Sequence, residues 1–440
     1  MDCKSKNNPK IKFSVRDNFI IRKTEIGSLK GKQRLPITEP VDESLHQSDL
    51  AKIWGTEFLK LRRKIVLEKK EKRSLNIADF FCGSGGLSLG IENALKSVGL
   101  GANFLLACDI SKDSLDVYNA NFSPKRRVLD NAANLVREGK IEHLQGLKIP
   151  CIEDVQLAPE IQDFIGKIDV FAAGPPCEGN SNLNNITRRT DHRNNHYVSA
   201  AILGAKLGAS LILIENVQTV KSAKQNVVER AKIILASAGY SVKNCEYMLK
   251  AENFNVAQRR IRHFLIAVKD SFDEEEVDYQ DIKTNSLSTM DAIGDLLNNN
   301  KSDTMNLNSD LSDENRKRIN FLFDNDLYDL PDTERPFCHR EKEHTYPSVY
   351  GRMFPDQPAF TITTGFQSPG RGRYIHPVER RGLTPREGAR IQSFPDYFKW
   401  QTPLCRVSKN SITRLIGDAV PPNLGEAAML IGLASCRKFH

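Results

Sequence analysis

The segment Ala173-Gly174-Pro175-Pro176-Cys177-Glu178-Gly179-Asn180-Ser181 holds a thiol in a rigid collar. Two prolines fix the backbone just before Cys177, and Gly179 lets the chain turn away after it. An inert core thiol is the ordinary fate of an intracellular cysteine and has no need of such framing. A nucleophilic thiolate, presented at a set angle, does. A second segment, Asp79-Phe80-Phe81-Cys82-Gly83-Ser84-Gly85-Gly86-Leu87, joins an apolar run to an amphipathic one. Glycines there let the backbone turn sharply and come close to a ligand. The segment lacks the Gly-Lys-Ser ending of a triphosphate loop and departs from Gly-x-Gly-x-x-Gly, which disfavours triphosphates and dinucleotides. Asp109 ends the next apolar run, where a carboxylate accepts hydrogen bonds from ribose hydroxyls. The chemistry implied is a nucleophilic sulfur beside a nucleoside cofactor.

Both segments need a scaffold, and the surrounding pattern supplies one. Strands are predicted at Asn76 to Phe81, Phe104 to Asp109, Ile168 to Ala173, Leu211 to Glu215 and Phe264 to Val268. Helices are predicted at Leu87 to Val98, Ser114 to Asn121 and Tyr197 to Lys206. Strand and helix in alternation give an α/β fold, a doubly wound, mostly parallel Rossmann-like sheet. Ligands then bind at the carboxyl ends of the strands, where both segments fall. Residues 1–73 read as an extension, loop-like at first and then a basic helix from Leu50 to Arg73, with either a solvated outer face or a face for DNA phosphate. Residues 74–269 form the cofactor-binding domain. From 270 to 409 the composition turns acidic, then rich in Asn, Thr and Gly, as in a smaller irregular domain, and 410–440 returns to the first domain.

The chain has 440 residues, 40% of them hydrophobic, and a mean hydropathy of −0.43. That is the profile of a soluble globular protein. A formal net charge of +8 favours a polyanionic partner. The nine cysteines show no Cys-x-x-Cys spacing, so no metal is expected and the thiols read as reduced, in a cytoplasmic setting. The N-terminus is no signal peptide, and apolar runs such as Leu211 to Ile214 are too short to cross a bilayer.

Taken in order, six segments resemble the motifs of the DNA cytosine-5 methyltransferase family of bacterial restriction–modification type. They are the loop from Phe80 to Leu87; the Pro-Cys turn; Glu215-Asn216-Val217; Gln258-Arg259-Arg260-Ile261-Arg262; Arg381 to Glu387 running on to Asp396; and Gly417-Asp418-Ala419-Val420-Pro421-Pro422. The match runs from about Leu75 to the C-terminus. It implies S-adenosylmethionine as methyl donor, held by Phe81, Gly83, Ser84, Gly85, Gly86 and Leu87, with Asp109 on the ribose and Asp154 on the adenine. Pro176 and Asp418 complete that set. It also implies Cys177 as covalent nucleophile, Glu215 as the carboxyl facing ring nitrogen 3, and Arg260 and Arg262 as the cations that lower the thiol's pKa.

Double-stranded DNA is the partner the resemblance implies. The stretch from Ser181 to Asn195, with Arg188, Arg189 and Arg193, resembles a mobile catalytic loop, and Gln258 belongs to the DNA-facing set. In the region of target recognition, Arg352, Thr363, Thr364, Arg371 and Arg373 suit guanine edges and phosphates, or equally a Gly-rich structural turn with solvated arginines. Glu178, Asn180 and Asp418 stand where the family usually has Gln, Phe and Asn. A monomer is expected, with a cognate restriction endonuclease acting on the same site. Rival readings are a tRNA cytosine-5 methyltransferase, whose Cys-Phe-Thr signature is absent, and a catalytically silent DNA-binding regulator, against which the intact Cys177, Glu215, Arg260 and Arg262 stand. A thiol oxidoreductase lacks a partner cysteine in redox spacing.

Overall fold

The structure is a computed structural model and describes residues 7–37, 40–65, 73–137, 139–176, 191–272, 276–297, 302–337, 340, 349–403 and 405–440. The N-terminal extension differs from its sequence reading. Lys10–Arg16 (β1), Phe19–Ile26 (β2) and Leu29–Pro36 (β3) form an antiparallel meander. The physical reason is in the residues: Lys-Ile-Lys-Phe-Ser-Val-Arg alternates polar with apolar, and the Asp17-Asn18 turn takes positive φ at both positions (50° and 59°). The high lysine content masked a period of two. Helix Gln47–Leu59 (α1) closes over this sheet, packing Trp54 and Phe58 with Phe13, Ile20 and Leu35. It ends at Lys60, so the basic run predicted as helical lies past its C-terminus.

The central sheet joins Ser74–Phe80 (β4), Gly101–Asp109 (β5), Arg126–Leu129 (β6), Val170–Ala173 (β11), Leu211–Val217 (β12), Glu246–Lys250 (β13) and Ile261–Val268 (β14) in the order β13-β14-β12-β11-β4-β5-β6. Between β6 and β11 lie two short antiparallel pairs, Val136–Arg137 (β7) with Gln156–Leu157 (β10) and Ile141–Leu144 (β8) with Leu147–Pro150 (β9), followed by Pro159–Gln162 (α4). Pairings from β12 through β6 are parallel, while β14 runs antiparallel to both its neighbours. Gly86–Ser97 (α2) and Lys112–Phe122 (α3) cover one face; His196–Lys206 (α5) and Val227–Ser237 (α6) cover the other. The central strands are buried on both faces, as their unbroken apolar runs require. Thus the doubly wound α/β reading holds.

Among its described residues, the region after β14 carries Thr289–Ile293 (α7), Asp313–Asp324 (α8) and Pro385–Ile391 (α9), with short 3-10 turns and isolated bridges between them. Ile319, Leu322, Leu330 and Ile375 give it a small core of its own. The start of α9 explains the Thr-Pro-Arg-Glu sequence. Pro385 occupies the first turn, Thr384 Oγ1 accepts from the Glu387 amide (3.2 Å), and Glu387 Oε2 accepts from the Thr384 amide (2.8 Å). Lys409–Asp418 (α10) and Pro422–Ser435 (α11) bring the chain back, α11 lying along α2.

Candidate active site

The parallel strands end on one edge, where the glycine loop, Asp109, the Pro-Pro turn and Glu215 gather. After β4, Phe81 and Gly83 take positive φ (53° and 51°) and Gly85 follows at 93°. Gly85 is obligatory: a Cβ there would stand 2.3 Å from the Phe122 ring, and one on Gly86 2.2 Å from the Val420 carbonyl. A Cβ on Gly83 would meet nothing within 4 Å, so the loop opens outward at that point. The Gly83 amide donates to Asp109 Oδ2 (2.9 Å), tying the loop to the end of β5. Ser84 is buried, and its Oγ has no hydrogen-bond partner among the described residues. Leu87 packs under the loop as core. Ile110, next to Asp109, is 74% exposed. An orphaned buried hydroxyl, an open glycine and a bare apolar side chain beside an acid are features that fit a nucleoside-bearing cofactor. Sequence reasoning missed Ile110, because an exposed Ile is visible only once the strand end is placed.

Asp154 is exposed in the turn before β10, and no hydrogen bond joins it to the glycine loop among the described residues. The acid that directly follows the edge strand β6 is Asp130, whose Oδ1 accepts from the Asn131 amide and from Asn134 Nδ2. Asp418 is exposed at the end of α10.

Behind the loop, Asp79 is buried, accepts from Ser88 Oγ (2.7 Å), and Ser88 Oγ also meets Tyr118 Oη (2.7 Å). Burial pushes the Asp79 carboxyl up from 3.8 to about 7, against the Ser88 bond and helped by Asp109. A carboxyl raised on folding favours the protonated fold. Its contribution is whole below pH 3.8 and is lost as pH rises through 7. Asp79→Asn keeps the acceptor for Ser88 and removes the charge. We expect it to raise stability above pH 7 by on the order of 2 kcal/mol, about half of what 1.36 kcal/mol per unit gives for the full displacement, since relaxation softens the penalty. The two proteins should converge near pH 4, as read from urea midpoints across pH.

Beyond β11, the Gly174 amide donates to the Phe80 carbonyl (3.2 Å), and Asn216 Nδ2 donates to the Pro175 carbonyl (3.1 Å). Asn216 thus anchors the Pro-Pro turn, a role its place in the Glu-Asn-Val triplet foreshadows. Pro176 is half-buried. Cys177, Ser181, Arg188 and Arg189 lie outside the described residues. Glu215, at the end of β12, is 7% exposed, and its Oε1 pairs with Arg262 Nε at 3.0 Å. A Cβ on Gly174 would stand 3.9 Å from Glu215 Oε2 and 3.7 Å from the Phe81 carbonyl oxygen, so glycine loop, Pro-Pro turn and carboxyl share one small space. Burial raises the Glu215 pKa; Arg262, Arg260 and His263 oppose it without prevailing.

Arg260 serves differently from Arg262. It is buried and donates to the carbonyls of Ile362 (2.9 Å), Gly417 (3.3 Å) and Ala419 (3.2 Å). Gln258 is likewise fully buried, donating to Gln392 Oε1 and accepting from the Ile362 amide. Arg193 forms a two-bond pair with Asp191 (3.0 and 2.8 Å). Arg352 lies over Phe323 and bonds the Pro377 carbonyl and Asp326; Arg373 is buried over Phe354, held by Asp329 and the Tyr328 carbonyl. Thr363 Oγ1 meets Tyr374 Oη. Of that set, Thr364 and Arg371 are exposed. His376, Glu379 and Glu387 also converge; Arg381 donates to both carboxylates and His376 Nδ1 accepts two backbone amides, while His376 Nε2 stands 3.6 Å from Glu387 Oε1.

A sequence profile of C-5 cytosine-specific DNA methylases matches residues 75–430. The chain belongs to this family. It is similar to the Type II methyltransferase M1.BsuMI of Bacillus subtilis, 38% identical over 89% of this chain and 87% of that one. The Type II methyltransferase M1.HphI of Haemophilus parahaemolyticus is 28% identical over 80% and 85%. Among solved structures, the Entamoeba histolytica methyltransferase EhMeth aligns with a TM-score of 0.51 at 17% identity, covering 83% of this chain and 98% of that one, which speaks to the fold. As a DNA cytosine-5 methyltransferase, the protein takes DNA as substrate. No helix among the described residues is long and apolar enough to cross a membrane.

Proposed function

We propose that this methyltransferase modifies a cytosine flipped out of a specific duplex sequence, through a transient bond to Cys177, with S-adenosylmethionine as donor. The observation that carries the reading is Glu215: a buried carboxyl with raised proton affinity, clamped by Arg262, beside the turn that leads to Cys177. Bound S-adenosylmethionine supplies an electrophilic methyl group, and Phe81, Gly83, Ser84, Gly85, Gly86, Asp109 and Ile110 would hold it. Cys177 as thiolate adds to carbon 6 of the ring, which breaks the conjugation and makes carbon 5 nucleophilic. Glu215 relieves the charge that builds, by presenting its proton at ring nitrogen 3. After methylation, loss of the carbon 5 proton to solvent expels the thiolate, and ring nitrogen 3 returns its proton to Glu215. The base reaches this pocket only when extruded from the stack.

The chain acts, on this reading, as a monomeric modification enzyme beside a cognate restriction endonuclease of the same specificity. Labelled S-adenosylmethionine tests the substrate: label is expected in duplex DNA and not in transfer RNA. An oligonucleotide carrying 5-fluorocytosine at the target tests the bond, since fluorine cannot leave as a proton does and the adduct should persist in denaturing gels. Label only in RNA overturns the substrate, and no adduct overturns the covalent step.

A further inference from the structure

A cavity opens where the N-terminal sheet and α1 meet the body of the protein. Arg22 and Gln33 reach it from β2 and β3, Trp54 and Phe58 from α1, Asn93 from α2, Phe254 and Asn255 from the turn between β13 and β14, and Glu426 from α11. About 580 Å³ of empty space lies within it, the open mouth included, so its enclosed part fits one small ring rather than a nucleotide. Arg22, Gln33, Asn93 and Asn255 are all at least nine-tenths buried. Each nevertheless carries a polar atom with no hydrogen-bond partner among the described residues: Arg22 Nε, Gln33 Oε1, Asn93 Nδ2 and Asn255 Oδ1. Buried polar groups are nearly always paired, so four around one cavity call for a partner that reaches them all. Arg22 and Gln33 stand directly opposite each other across β2 and β3. The Arg22 guanidinium pairs through Nη1 with Glu426 (2.7 Å) and lies 5.9 Å from the Trp54 ring centroid. Its charge is thereby matched, and Nε remains a donor. Asn255 Nδ2 donates to the Ala51 carbonyl (2.8 Å), which fixes Oδ1 as an acceptor. Gln33 adds a second acceptor and Asn93 a second donor. The walls of Trp54, Phe58 and Phe254 offer flat apolar surface, which suits a ring better than it suits water.

We infer that this cavity binds a small, neutral, planar heterocycle with two carbonyl acceptors and two N–H donors, the chemistry of a uracil-type pyrimidine. Its carbonyls accept from Arg22 Nε and Asn93 Nδ2, its N–H groups donate to Gln33 Oε1 and Asn255 Oδ1, and its faces lie against the aromatic walls. A charged ligand is disfavoured, because Arg22 and Glu426 already neutralise each other. The site is apart from the reacting edge. Asn93 lies two turns along α2 from Gly86, about 10 Å along the helix axis. Arg22, Gln33 and Trp54 also precede the 75–430 family match, so half of the site is built by the N-terminal extension.

The test is calorimetric titration of the full chain with uracil. The control is 1,3-dimethyluracil, which keeps the ring and loses both N–H donors. Uracil is expected to bind and to raise the melting temperature, and the dimethyl compound to bind at least about tenfold more weakly. Gln33→Met removes an acceptor and Asn93→Leu a donor, each at nearly constant volume. Each should weaken uracil binding about tenfold, and neither should melt lower than the wild type without ligand, because an unpaired buried atom is gone. Two variants keep the test decisive if one fails to fold. Both should still transfer methyl groups to DNA, and Glu215→Gln should still bind uracil, so failure here is told apart from failure of the reacting edge. No binding at millimolar uracil overturns the inference, and variants that melt lower than wild type would then show a cavity that holds only water. Uracil binding that survives both cavity variants, or that disappears with Glu215→Gln, places the ring elsewhere and overturns it equally.

Discussion

Glu215→Gln is expected to slow methyl transfer by about 10²–10⁴-fold, the range associated with a positioned proton donor, while leaving the fold in place. The substitution is close to isosteric. Its amide oxygen can still accept from Arg262 Nε, which lies 3.0 Å from Oε1 in the native protein. What disappears is a transferable proton in a buried site. Burial is the largest influence on this carboxyl and raises its pKa in spite of Arg262, Arg260 and His263 nearby. A raised carboxyl keeps its proton to higher pH, and the wild-type rate should fall on the alkaline side as that proton is lost. In the Gln variant this alkaline limb should vanish along with the rate. Single-turnover kinetics across pH, with melting curves as the control for folding, read both. A variant within tenfold of wild type, or one that keeps the limb, removes Glu215 from the chemistry.

The sequence carried the reacting edge well because apolar runs and motif spacing are local properties. Leu211 to Ile214 could only be a doubly buried strand, and Glu215 had to emerge at its end. The glycine loop was legible for the same reason, since positive φ at Gly83 and Gly85 is a demand of the turn itself, whereas the neighbours Phe122 and Val420 that crowd Gly85 and Gly86 come from distant segments. Two kinds of feature were hidden. The N-terminal sheet was masked by composition: lysines on the outward positions of β1 and β3 look like a solvated tail until the alternate Ile11, Phe13 and Val15 are counted. The arginines were masked by their chemistry. A guanidinium reads the same in sequence whether it faces a phosphate or a carbonyl. Arg352 and Arg373, placed by sequence at the DNA, are held over Phe323 and Phe354. Only their placement in the fold distinguishes them from the exposed Arg371.

Arg260 gives the sharpest case of that ambiguity and the second large effect. Sequence motif places Arg260 and Arg262 as a pair beside the thiol, yet in the fold they do different work. Arg262 clamps the carboxyl of Glu215. Arg260, just before β14, makes three bonds to backbone carbonyls that join it to the Ile362 loop and to the C-terminal end of α10. Those segments meet the glycine loop in turn, since the Val420 carbonyl fills the space where Gly86 would carry a Cβ. Arg260→Met keeps an unbranched apolar stem but strands three buried acceptors, each costing about 1–3 kcal/mol when left unsatisfied. A loss of about 3–5 kcal/mol is therefore expected, seen as a lower urea midpoint. Because the glycine loop loses its support, the KM for S-adenosylmethionine should rise as well. A purely chemical role predicts the reverse pattern, a normal midpoint with kcat alone reduced. That outcome would move Arg260 from the architecture of the site back to its chemistry.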